Sequence, residues 1–176
     1  MELNLRPLQK SDFATLYHWL NAPHLKPFYM CDGISLETVL KKFSPRVGGT
    51  NDVNCVIATE DGQPFGYMQW YFNRTFPDYG AATIGRMAGV SIDYFIGDAR
   101  FLGRQLGTKM LNALVVQICP DLGVQDRIFH IAHDDENSAA IRCSTRAGFV
   151  ADEAYVEKAK QSTLYVRCEG YEHEQQ

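Results

Sequence analysis

Hydrophobic and polar positions change period several times along the chain, and each change marks an element. Leu3, Leu5 and Leu8 around Arg6 and Pro7 predict a short first strand. Phe13, Leu16, Tyr17 and Leu20 recur at i, i+3, i+4 and i+7, predicting a helix capped by Ser11 that stops near Asn21, because Pro23 cannot continue it. Residues 22–32 read as a loop with Pro23, Pro27, Phe28 and Tyr29, and a second helix is expected from the cap Ser35 through Val39 and Leu40 to about Phe43. Val53, Cys55 and Ile57 return to period two, Asp61-Gly62 signals a tight turn, and residues 65–72 form a second, aromatic-rich strand; this is a hairpin. The polar connection 73–88 is long, and such connections in compact domains are more often functional than idle.

The next stretch organises the rest. Val90, Ile92, Tyr94 and Ile96 alternate with Ser91, Asp93 and Phe95, so one carboxylate sits inside an otherwise largely apolar strand. Leu106, Met110, Leu114 and Ile118 follow at four-residue spacing, with Leu111 and Val115 widening the stripe of a helix. Between strand and helix, residues 103–108 put backbone N–H groups at a helix N-terminus, where the dipole favours an anion such as a phosphate. A further strand is expected at 128–132, a helix capped by Asn137 running to Arg146 and ended by Gly148, and two last strands near 150–156 and 163–168. This order predicts an α+β fold, a mixed sheet flanked by helices. A Rossmann fold is disfavoured, because Gly103-x-x-x-Gly107 is not G-x-G-x-x-G, and no G-x-x-x-x-G-K-[ST] loop is present.

Length and composition narrow the class. At 176 residues, a single domain over 1–170 with a polar tail at 171–176 is expected. A net charge of −4 argues against a nucleic-acid partner held by a basic face. Five scattered cysteines without a C-x-x-C pair indicate neither a disulfide framework nor a metal site. No apolar run approaches the roughly 18 residues of a membrane span, and no basic-then-apolar leader opens the chain, so a cytoplasmic location without a membrane partner is expected. The sequence leaves monomer and homodimer open.

Five segments together resemble the GCN5-related N-acetyltransferases (GNAT), in particular their aminoglycoside 6′-N-acetyltransferase branch. They are His18-Trp-Leu-Asn-Ala-Pro-His24, Phe65-Gly-Tyr-Met-Gln-Trp-Tyr71, Ile92-Asp-Tyr-Phe-Ile96, Leu102-Gly-Arg-Gln-Leu-Gly-Thr108 and Asn137-Ser-Ala-Ala-Ile-Arg-Cys-Ser-Thr-Arg-Ala-Gly-Phe149. The resemblance implies a GNAT fold with a largely antiparallel mixed sheet and a splayed strand pair, and acetyl-CoA as cosubstrate with no metal. It assigns the acetyl-CoA pyrophosphate to the backbone of Gly103, Arg104, Gln105, Leu106, Gly107 and Thr108. It places Phe95 and Ile96 where backbone pairs with pantetheine and polarises the thioester, a contribution of about 3–4 kcal/mol per donor in acyl transfer. Asn137 matches an asparagine that contacts CoA, although its role as a helix cap accounts for it independently. The chain departs from the pattern Q/R-x-x-G-x-G/A at two positions, with Leu102 at the first and Gln105 at the usual first glycine.

Acyl transfer to nitrogen needs a neutral amine. An amine of pKa about 8 is neutral for roughly a tenth of the time at pH 7, one of pKa about 10.4 for less than a thousandth, so a proton acceptor matters most for the second kind. The resemblance makes Asp93 the candidate catalytic base and amine anchor; with an ordinary pKa of about 3.9 it needs burial or a water relay to act as base. A tyrosine usually protonates the departing thiolate in this family, and Ser144 stands at that position. Candidate acceptor-binding residues are His24, Tyr29, Gln69, Tyr71, Asp78 and Asp93. Phe28 and Trp70 join Tyr29 and Tyr71 as surfaces for stacking, and Asp134, Asp135, Glu136, Asp152 and Glu153 could supply negative charge. The loop after the hairpin carries only Asp78 between Arg74 and Arg86, whereas an acidic loop is typical of the branch, which leaves open whether antibiotic resistance is the native role. The expected function is acetyl transfer to a small polyamine or aminoglycoside-like amine. The alternatives are a siderophore hydroxylamine N-acyltransferase and a weakly catalytic CoA-binding sensor.

Overall fold

The computed structural model describes residues 2–29, 32–49, 52–80, 85–157 and 160–170; Cys31 and the expected tail 171–176 lie outside them. Seven strands, β1 (Leu3–Pro7), β2 (Asn54–Glu60), β3 (Gln63–Phe72), β4 (Val90–Ile96), β5 (Ile128–Asp134), β6 (Val150–Glu157) and β7 (Lys160–Cys168), form one sheet in the order β1-β2-β3-β4-β5-β7-β6. The helices are α1 (Phe13–Leu20), α2 (Leu36–Phe43), α3 (Pro77–Gly80), α4 (Leu106–Ile118) and α5 (Ser138–Arg146). The pairs β1–β2, β2–β3, β5–β7 and β6–β7 are antiparallel, and β4–β5 is parallel. That parallel register sets Val90 opposite Phe129 and Ser91 opposite His130, while β4 runs on to Ile96 and β5 to Asp134. Contacts gather into two compact units, Met1–Trp70 with Asp93–Met110, and Tyr71–Ile92 with Leu111–Gln176.

In the first unit the hairpin forms as its sequence predicts, with Asp61 (φ 49°) and Gly62 (φ 80°) both left-handed, as a two-residue type I′ turn requires. The expected Ser11 cap is replaced. A 3₁₀ turn, Lys10–Asp12, leads into α1, and Asp12 accepts from the Gln9 backbone N–H at 2.9 Å and from both terminal nitrogens of Arg6 at 2.7 Å. A buried carboxylate that fastens β1 to the helix entry outcompetes an exposed serine. Ser35 does cap α2, its hydroxyl accepting from the Thr38 N–H at 3.1 Å.

Phe95 is the centre of this unit's core. Its ring meets Tyr29 at 5.0 Å, Tyr67 at 5.3 Å and Trp19 at 6.4 Å, and Tyr67 in turn packs edge-on against Phe43. The loop after α1 is fastened by Asn21, which donates to the carbonyls of Tyr17 and Ile34 and accepts from the Ile34 N–H. Directly after β4, a Cβ at Gly97 would fall inside the Trp19 ring, so chain and indole meet at a distance only glycine allows.

In the second unit, Asn73 accepts from Ser91 Oγ at 2.6 Å and donates to the Ala88 carbonyl and to His130 Nδ1. Because an amide N–H occupies Nδ1, His130 is held neutral, and burial pushes its pKa down to about 4. Asn137 caps α5 and Gly148 follows its end with φ 83°, both as expected. The predicted stripe of the fourth helix is buried along its length, from Leu106 to Ile118.

Gly97→Ala is expected to lower stability by about 1–3 kcal/mol, the usual cost of overpacking, read as a drop in the urea midpoint without a change in slope. An unchanged midpoint would mean that Trp19 can move aside.

Candidate active site

Asp93 lies half-buried on β4, on the same strand face as Phe95. Gln69 Nε2 donates to Asp93 Oδ2 at 2.7 Å. The other end of that amide receives two donors, Tyr67 Oη–H at 2.8 Å and Arg46 Nη1–H at 2.7 Å. Turning the amide over would set its NH₂ against two donors, so its orientation is fixed and its N–H must face Asp93. Cys55, opposite Gln69 in the β2–β3 register, lies 3.0 Å from Tyr67 Oη. Since the phenol proton is used on Gln69, the thiol is the donor. Burial raises the pKa of both Cys55 and Tyr67, which keeps both protonated and the chain of donors pointed at Asp93.

Tyr29 lines the same region. Burial raises its hydroxyl pKa, the negative charge of Asp93 raises it further, and Arg46 opposes the rise. His24 Nε2 bonds the Ile96 carbonyl at 2.9 Å and so ties the loop after α1 to the end of β4. The side chain of Phe95 belongs to the core, and its carbonyl lies against Gly66 of β3.

The turn before α4 belongs to the same unit. Gly103 has φ 75° with nothing within 4 Å of a Cβ position, so ligand atoms can approach it. Gln105 has φ 58°, the left-handed conformation that explains why glycine usually stands there. Its side chain is exposed and does not block the turn. Arg104 is drawn away by Glu60, paired at 2.6 Å, and stacks over Phe101, so its backbone rather than its charge is offered to a phosphate. Leu106 and Gly107 are buried, Thr108 is half-buried, and the N–H groups of the first helical turn point outward from the N-terminus. The residues present therefore fit a pyrophosphate held by backbone amides.

The remaining predicted residues lie in the second unit. Tyr71 packs edge-on against Phe76 and Tyr79, Asp78 is exposed on α3, and the Asn137 side chain accepts from the Ala140 N–H. Ser144 is fully buried with its hydroxyl 2.6 Å from His133 Nε2, and burial lowers the pKa of that histidine to about 4. Four of the five acids expected to offer negative charge are already engaged, Asp134 with Lys160, Asp135 with Thr163, and Asp152 and Glu153 with Arg86, and the fifth, Glu136, is exposed.

Sequence reasoning missed Tyr67 and Arg46. The period of β3 could have found the first, since Tyr67 shares a face with Gln69; Arg46, in the irregular segment Ser44–Gly49, carries no sequence signal. Among the described residues, no cluster of metal-ligating side chains occurs and no helix is long and apolar enough to cross a membrane.

The first unit thus offers a carboxylate that can bind an amine and a glycine-containing turn into a helix N-terminus whose backbone amides can hold an anion. The acetyltransferase (GNAT) domain family matches residues 9–156. Aminoglycoside N(6′)-acetyltransferases type 1 from Klebsiella pneumoniae and Serratia marcescens are each 32% identical over 151 residues, covering 84% of this chain and 73% of theirs. A solved aminoglycoside acetyltransferase AAC(6′)-Ib, in complex with coenzyme A and kanamycin, superposes with a TM-score of 0.78 at 26% identity, over 96% of this chain and 95% of that one. The chain belongs to the GNAT acetyltransferase family.

Two outcomes are expected. Gln105→Gly relieves a left-handed non-glycine residue and should stabilise the protein by about 1 kcal/mol, with acetyl-CoA affinity retained in calorimetry; a loss of affinity would assign binding to the glutamine side chain. His130 and His133 have folded pKa values below their unfolded value of about 6.5. The unfolded chain therefore binds more protons between pH 6.5 and 4, so stability is complete above pH 6.5 and falls as pH drops toward 4, by up to about 1.4 kcal/mol per unit for each histidine. Urea unfolding at pH 7, 6 and 5 checks this, and equal stability at pH 7 and 5 would contradict it.

Proposed function

We propose that the protein is an acetyl-CoA-dependent N-acetyltransferase that acetylates an amine of a small polyamine or aminoglycoside-like molecule, at a 6′-type position in the sugar case. The observation that carries this reading is the Gln69–Asp93 bond, which fixes the orientation of a half-buried carboxylate whose charge can bind an amine. The related enzymes from Klebsiella pneumoniae and Serratia marcescens support the choice of acceptor class. The hydroxylamine and sensor alternatives are not favoured, since the named relatives and the ligand-bound relative are aminoglycoside acetyltransferases.

Backbone amides of residues 103–108 hold the pyrophosphate, and the backbone of Phe95 and Ile96 aligns the thioester and donates to its carbonyl oxygen as charge develops there. Asp93 anchors the ammonium form of the acceptor and receives its proton, directly or through water, which frees the nitrogen lone pair for attack. The nitrogen attacks and a C–N bond forms, the tetrahedral nitrogen gives its second proton to water, the C–S bond breaks, and the thiolate takes a proton from solvent, since the Ser144 hydroxyl is bonded to His133. A thiol of ordinary pKa about 8.5 is a tolerable leaving group without an acid. His24 and Tyr29 shape the acceptor side, Tyr71 and Asp78 are further candidate acceptor contacts, Asn137 is a candidate CoA contact, and one domain over residues 1–170 is the proposed working unit.

Incubation with acetyl-CoA and a panel of 6′-amino and 6′-hydroxy aminoglycosides and polyamines, following thiol release, tests the reading; no release above background with any amine would sink it. Asp93→Asn should reduce kcat by about 10²–10⁴ and remove the acidic limb of the pH profile. A rise in KM alone would make Asp93 an anchor and not a base.

A further inference from the structure

Arg46 is an arginine beside the Gln69–Asp93 pair that the proposed chemistry does not use, and the group it bonds is a neutral amide. Arg6, Arg74, Arg86, Arg100, Arg104 and Arg167 each sit within 2.7 Å of a carboxylate. Arg46 is half-buried, yet among the described residues no carboxylate lies within ion-pair distance of it. Its guanidinium lies over the Phe43 ring at 5.5 Å and donates to the neutral Gln69 amide at 2.7 Å. The nearest negative charge in this network is Asp93, on the far side of that same amide.

A cation and an anion are thus held apart by the width of one glutamine amide. Lys42 adds to the positive side, its Nζ 5.7 Å from the Tyr29 ring centroid and 5.5 Å from that of Phe43. The positive field reaches Tyr29 and Cys55, whose ionised forms Arg46 favours. An amine docked on Asp93 therefore lies in a field that turns positive toward Arg46. A second ammonium near the first meets repulsion there, whereas a hydroxyl or an anionic group can accept from the guanidinium.

We propose that Arg46 is a specificity-determining residue that selects acceptors by the other groups on the sugar ring that bears the reactive amine, favouring hydroxyl or anionic groups over a second ammonium. This rests on the N-acetyltransferase reading of the same site and names its acceptor class more narrowly: singly charged amino groups flanked by hydroxyls, as on a monoamino sugar. Gln69 carries the effect to Asp93, so Arg46 need not touch the reacting nitrogen.

Kanamycin A and kanamycin B test this, because they differ by a hydroxyl or an amine on the sugar that bears the 6′-amine. The wild-type protein should favour kanamycin A by about tenfold in kcat/KM. Arg46→Gln, which keeps a donor for Gln69, should bring that ratio to about one, and Arg46→Lys, which keeps the charge, should preserve it. A purely structural role for Arg46 would lower both rates and leave the ratio unchanged, which would overturn the proposal, as would a wild-type ratio of one. Calorimetry of both compounds with the CoA-saturated protein reads the same ratio as affinities. Discrimination in binding without turnover would sink the acetyl-transfer reading and keep the charge selection; binding of neither compound would overturn both.

Discussion

The site depends on the orientation of one amide. Gln69 donates to Asp93 only because Tyr67 and Arg46 both donate to its oxygen, and Tyr67 can donate only because burial keeps it a phenol. The core and the site are built from the same groups: Tyr67 also packs against Phe43 and Phe95, and Phe95 lies two residues beyond Asp93 on β4. A change that loosened the aromatic cluster would release the glutamine and, through it, the carboxylate. Buried polar chains of this kind are strong when every member is satisfied and costly when one is not.

Backbone conformation does the corresponding work at the other end of β4. Gly97 lets the strand end pass under Trp19, and Gln105 takes a left-handed turn so that the first N–H groups of α4 face outward. Replacing the usual glycine keeps the geometry and adds strain, because the amides that meet a phosphate belong to the backbone whatever the side chain. His24, bonded to the Ile96 carbonyl, joins the loop that carries Tyr29 to this segment.

Much of the fold was legible in the chain because its elements obey clean periods. The hairpin turn at Asp61-Gly62, the stripe from Leu106 to Ile118 and the Asn137 cap each have one local solution, and the structure adopts it. Ser11 misled because its competitor, Asp12, is chosen by a partner on another element, Arg6, which no local rule weighs. The site was legible in part for the same reason. Asp93 stood out as a carboxylate in an apolar strand, and Gln69 came from the resemblance, but its partners on Asp93 and Arg46 are long-range contacts. The likeness to GNAT enzymes located the chemistry; it could not reveal that four of the five candidate acids are engaged by Lys160, Thr163 and Arg86.

The charge pattern that results is dipolar, one carboxylate and one guanidinium across a fixed amide, inside a protein whose net charge is −4. The central claim, that Asp93 as held by Gln69 receives the acceptor amine, is tested most directly by a crystal structure with coenzyme A and a 6′-amino sugar bound together. The account predicts the amine nitrogen within about 2.6–3.2 Å of the Asp93 carboxylate while Gln69 still donates to its other oxygen. An acceptor seated elsewhere, with Asp93 facing only protein, would contradict it.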